Sequence, residues 1–158
     1  MGIMQSKTRN KRRYIHKQKH KYTCGAVALA NAFRKLGKHV TYKQAVAMFG
    51  GLRAFEAHGK KKFNGVSNRK IELVARRNGL RSVAYHLTLE EVKLLSSLKN
   101  VAVAVCYVPV KNAGHIVTFN KRGQPLNAGR YGVTEKHWAL TKKVWGFEPV
   151  CFIFTRKR

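Results

Sequence analysis

Residues 24–36, Cys24-Gly-Ala-Val-Ala-Leu-Ala-Asn-Ala-Phe-Arg-Lys-Leu36, read as a helix that begins on a cysteine. Ala26, Ala28, Ala30 and Ala32 let neighbouring elements approach closely, and Leu29, Phe33 and Leu36 recur at helical spacing as an apolar stripe. Gly37 ends the predicted helix. A helix N-terminus stabilises a thiolate through N–H groups that lack acceptors and through the macrodipole. A lone cysteine in such a place is more often structural than reactive, so a catalytic reading needs a base from elsewhere in the chain.

Working outward, Thr41 can cap a second helix that runs to about Phe49 and stops at Gly50-Gly51. Residues 52–66 form a basic loop containing Lys60-Lys61-Lys62, and Ser67 then caps a third helix with Ile71, Leu73, Val74 and Ala75 as apolar positions, ending near Gly79. Arg81–Leu87 alternates as a strand, and Thr88 caps a helix over Leu89–Leu98. Strands are predicted at Val101–Val108, His115–Asn120, Pro125–Ala128 and Val150–Thr155, with a short helix near Thr134–Lys143. Helices first and a mostly antiparallel sheet afterwards make an α+β order. No internal repeat is visible, and the expected organisation is a basic flexible arm, 1–17, dispensable for folding, followed by one domain, 18–158.

The balance of charge is extreme. Thirty-three Lys and Arg face six acids, all of them Glu, for a net charge of +27 on 158 residues. Such an excess favours phosphate-bearing polymers through counterion release, so a nucleic-acid partner is expected, with Arg9, Lys11, Arg12, Arg13, Lys60, Lys61 and Lys62 as candidate contacts. With 44% apolar residues the chain can still build a core, and no apolar run approaches the roughly 20 residues of a membrane span. No secretory signal is legible, so an intracellular or virion setting is expected. The three cysteines show no zinc-ligand spacing and no disulfide framework, and no metal or cofactor is expected. Cys106 and Cys151 sit in apolar strands and read as buried core residues.

Of seven histidines, His16, His20, His39 and His58 lie in polar, basic stretches and His137 on a predicted helix. His86, near a strand end, is a weaker rival to His115, which opens the strand Gly114-His-Ile-Val-Thr-Phe after the turn-forming Lys111-Asn-Ala-Gly. If Lys121-Arg122-Gly123 closes a three-residue hairpin with Gly123 left-handed, Asn120 faces Gln124 and, counting back, Val117 faces Asn127. His115 and Asn127 then lie on one sheet face, where an Asn carbonyl oxygen can accept the imidazole N–H and leave the other nitrogen for a thiol.

These residues resemble the bacteriocin-processing double-glycine peptidases, papain-like domains found ahead of certain peptide-exporting ABC transporters. The resemblance rests on Gln18 six residues before Cys24-Gly25, on Gly65-Val-Ser67, Gly79-Leu-Arg81 and Leu87-Thr88-Leu-Glu-Glu91, on Gly114-His-Ile-Val, on Asn127, and on Trp145-Gly146 before the last strand. It spans roughly residues 18–156. It implies the papain-like cysteine peptidase fold, with Cys24 as nucleophile, His115 as general base and acid, and Asn127 orienting the imidazole. Gln18 and the Cys24 backbone N–H would form the oxyanion hole. Two departures stand out: Thr23 where the family has Asp before the cysteine, and Asn127-Ala128 where Asp-Pro is common. The expected function is a cysteine endopeptidase with a peptide or protein substrate. The alternative is a catalytically silent papain-like fold acting as a basic nucleic-acid-binding or structural component of a nucleoprotein particle.

Overall fold

The computed structural model describes residues 14–110, 114–128 and 133–157. In chain order its elements are α1 (Cys24–Lys35), α2 (Tyr42–Met48), a 3-10 turn (Leu52–Phe55), α3 (Asn68–Arg77), β1 (Leu80–His86), α4 (Leu89–Ser96), β2 (Ala102–Tyr107), β3 (His115–Thr118), α5 (Glu135–Trp145) and β4 (Val150–Arg156). The helix starts are set by local chemistry. Thr41 and Thr88 each accept from the backbone N–H three residues on, and Gln44 and Glu91 reach back to the cap N–H. The Ser67 hydroxyl caps α3 through Lys70 N–H. α1 differs: the Thr23 hydroxyl makes no cap and instead donates to the His20 carbonyl at 2.7 Å.

The four strands form one antiparallel sheet in the order β1-β4-β2-β3. Strand alternation splits the core in two. Ala102, Ala104, Ile116, Phe152 and Phe154 pack with the residues of α1, α2 and α3 on one face. Val103, Val105, Tyr107, Val117, Phe119 and Cys151 pack with Leu89, Val92 and Trp138 of α4 and α5 on the other. Small Ala102 and Ala104 let the alanine-rich α1 lie close to the sheet. At the far end of α1, buried Lys35 donates through Nζ to the carbonyls of Ser96 (2.6 Å), Leu98 (3.1 Å) and Val101, closing the end of α4. Among the described residues no helix is long and apolar enough to cross a membrane.

The predicted strand Pro125–Ala128 does not form; only one bridge, Phe119 to Pro125, is made. The hairpin turn itself follows the expected register, with Asn120 N–H on the Gln124 carbonyl at 2.8 Å and Gly123 at φ 76°. Leu126 N–H still reaches the Thr118 carbonyl at 2.9 Å, but Asn127 turns left-handed (φ 66°) and leaves the ladder. Beyond that residue the extended run cannot continue.

Of the segment before Gln18, residues 14–17 are described, and Ile15 among them is tied to α1. Ile15 donates its N–H to the side-chain oxygen of Asn31 at 2.7 Å and accepts the Asn31 amide at 2.9 Å, and its side chain packs on the core. Asn31 is fully buried on α1. Removing residues 1–17 would therefore orphan a buried carboxamide and should cost about 1–3 kcal/mol, read as a lower urea midpoint. Arg9, Lys11, Arg12 and Arg13 lie outside the described residues.

Candidate active site

Cys24 is half-buried at the first turn of α1, where the leading N–H groups of a helix have no intrahelical acceptor. Burial by itself pushes its thiol upward, but a hydrogen bond to His115, the attraction of the imidazolium, and backbone N–H groups of Ile116 and Gly25 together hold it below the ordinary 9.0. The same contact works in reverse on His115. Burial favours the neutral ring, yet the bond and charge of Cys24 and the Asn127 carbonyl raise its pKa above 6.5. Both shifts favour one charge-separated state, thiolate beside imidazolium.

The tautomer follows from one bond. His115 Nε2 lies 2.7 Å from the backbone carbonyl oxygen of Asn127. A carbonyl oxygen only accepts, so Nε2 carries a proton and Nδ1 is the atom left for the thiol. This revises the expected contact: the Asn127 side chain does not orient the ring, its main chain does. The left-handed turn at Asn127 aims that carbonyl at His115.

The Asn127 carboxamide is instead engaged with Gln18. Asn127 Oδ1 accepts from Gln18 N–H at 3.0 Å, and Asn127 Nδ2 donates to Gln18 Oε1 at 2.9 Å. Gln18 Nε2 donates to the His20 carbonyl at 3.0 Å and keeps a second proton. Neither amide can be flipped without setting like groups against one another. The strand and helix carrying the pair are also tied together: buried Thr118 donates to the Ala28 carbonyl at 2.6 Å, one helical turn below Cys24 and three strand residues from His115. The rival His86 is exposed on β1, the opposite edge strand from β3, and is held by the Glu148 carbonyl at 2.7 Å.

Two recesses meet at His115. The smaller, about 140 Å³, is lined by Cys24, Gly25, Val66, Asn68, Cys106 and Ile116 among others. The larger, about 550 Å³, runs past Lys17, Gln18, Tyr107 and Asn127. Cys106 was expected in the core, but it is half-buried and lines the smaller recess, on the sheet face it shares with Ala102 and Ala104. Burial, then the nearby Cys24 charge, push its thiol up to about 12, so it stays protonated where Cys24 ionises. Strand parity carried this signal, since residues 102, 104 and 106 share a face. Val66 and Asn68 had none in the sequence, because only the packing of α3 against α1 brings them there.

Gly25 marks that packing. A Cβ there would sit 2.8 Å from Val66 Cγ2 and 3.3 Å from Ile71 Cδ1. Gly25→Ala should push Val66 across the smaller recess and destabilise the fold by roughly 1–3 kcal/mol, measured by urea denaturation. Of the loop lysines, Lys60 and Lys62 are exposed. Lys61 turns inward, donating to the carbonyls of Ala54 and Gly65 and lying 5.2 Å from the Phe63 ring centre, so it braces the loop.

The α+β fold, with a cysteine opening its first helix beside a strand-end histidine, is consistent with a papain-like fold. Among the solved structures it resembles is the peptidase domain of Streptococcus ComA, a bi-functional ABC transporter involved in a quorum-sensing pathway. The similarity has a TM-score of 0.56 at 14% identity and covers 91% of this chain and 98% of that one, so it is one of fold. No protein-family model matches the sequence, and no curated protein sequence does at a significant level.

Proposed function

We propose that the protein is a cysteine endopeptidase that cuts through a thioester, and the observation that supports this best is the Cys24–His115 contact with Nε2 held by the Asn127 carbonyl. Cys24 Sγ attacks the scissile carbonyl carbon, forming the S–C bond and placing the electron pair on oxygen. The N–H of Cys24 and the second proton of Gln18 Nε2 are the donors for that oxyanion. His115 Nδ1 gives its proton to the leaving amine as the C–N bond breaks. In the second half, Nδ1 takes a proton from water, the hydroxide attacks the thioester, and the carboxylate leaves with Cys24 restored. Asn127 acts through others: its main chain holds the imidazole and its side chain holds Gln18.

The test is incubation with a pool of unfolded proteins, read by mass spectrometry of new termini. The wild type should produce cuts that Cys24→Ala does not, a loss of several orders of magnitude. Identical peptide sets from both would sink the enzyme reading. The charge supports a second element, association with nucleic acid, since +27 on a chain of 158 residues releases many counterions from a polyanion.

A further inference from the structure

The end of α1 remote from Cys24 carries a second feature. A concavity of about 350 Å³ opens there, lined by Tyr14, Lys35, Gly37, Lys99, Asn100 and Lys121 among others. The twelve residues of α1, at ~1.5 Å each, put it roughly 17 Å from the thiol. Three lysines line it, and none of the six glutamates does. The stem of Lys93 lies against Gly123, in the turn that carries Lys121 and Arg122.

Two helices end at this place, and their carbonyl ends would repel an anion. Here both ends are covered by cations. Lys35 Nζ holds the Ser96, Leu98 and Val101 carbonyls, and the Arg156 guanidinium donates to the Leu36 carbonyl at 3.4 Å. With the carbonyls covered, the exposed Lys99 and Lys121 set the field of the opening. Tyr14 adds an aromatic ring to the wall.

We propose that this concavity binds the phosphodiester backbone of single-stranded nucleic acid, with Lys99 and Lys121 on phosphates and Tyr14 as a stacking wall. Lysines that track a backbone beside an aromatic face are what sequence-tolerant single-strand sites use. A recess of this size admits a nucleotide, whereas a duplex could only rest on its rim. The site rests on the nucleic-acid association above and locates it; it does not depend on the thiol chemistry.

The experiment is fluorescence anisotropy with a labelled oligothymidylate of about 15 nucleotides, near the upper site size of one nucleic-acid-binding fold. Binding is followed across a salt series for the wild type, for Lys99→Gln/Lys121→Gln, and for Lys136→Gln/Lys143→Gln, which removes the same charge from exposed positions of α5. Losing two phosphate contacts should flatten the slope of log K against log salt by about 1.4 in the first variant and hardly at all in the second. Unchanged Cys24 alkylation in both variants reports that the fold is intact. Equal slope changes in the two variants would overturn the site and leave only diffuse attraction. No binding by the wild type would overturn the association itself. A duplex of the same length binding as well as the single strand, or an oligoglutamate competing as well as oligothymidylate, would overturn the assigned partner.

Discussion

His115→Ala should raise the titration of the Cys24 thiol and slow its alkylation at neutral pH by about tenfold for every unit the pKa moves. The reason lies in what remains. The two largest influences that lower the thiol are the hydrogen bond and the charge of His115, and both disappear. Burial, which pushes the thiol up, stays, opposed only by the Ile116 and Gly25 N–H groups. The measurement is iodoacetamide labelling of the native protein between about pH 5 and pH 9, which brackets the reference imidazole and thiol values. In the wild type, Cys24 labelling should set in on the acid side of an ordinary thiol, because its native pKa lies below 9.0. Cys106 and Cys151 serve as internal standards, since burial pushes both up to about 12 and they should hardly react. Superimposable Cys24 profiles in wild type and variant would show that no thiolate–imidazolium pair exists.

Lys35→Met should destabilise the fold by about 3 kcal/mol without altering the chemistry of Cys24. Methionine keeps the aliphatic stem but leaves the Ser96, Leu98 and Val101 carbonyls without the ammonium they share. Each orphaned buried acceptor costs about 1–3 kcal/mol, and relief from burying a charge returns part of that sum. At ~2–4 °C per kcal/mol for a chain of this size, Tm should fall by roughly 6–12 °C. Calorimetry gives the answer, and a loss under about 1 kcal/mol would mean that water replaces the ammonium at those carbonyls.

The helices were legible because their signals are local. Thr41, Ser67 and Thr88 each act within three residues of themselves, and the 3.6-residue spacing of Leu29, Phe33 and Leu36 needs no partner to be seen. The hairpin at Lys121–Gly123 was legible for the same reason, since its parity follows from the turn alone. The fate of Asn127 was not. Its contact with Gln18 joins residues 109 apart, and a count along the ladder has no means of showing that Asn127 leaves it. Cys106 lies between: alternation placed it on the face of Ala102 and Ala104, but only the position of α1 made that face the wall of a recess.

From the sequence came the α+β order, the cysteine at the start of α1, His115 at the mouth of β3, and a charge suited to polyanions, because composition, capping and periodicity act over a few residues. The tertiary structure decided the rest. It replaced the Asn127 side chain by its carbonyl as the partner of His115, fastened Ile15 to Asn31, turned Lys61 inward, and gathered Lys35, Lys99 and Lys121 around the end of α1. Each of these joins groups to buried or backbone partners whose positions exist only once the layers are packed, since a carbonyl that needs a donor declares itself only when water has been excluded from it.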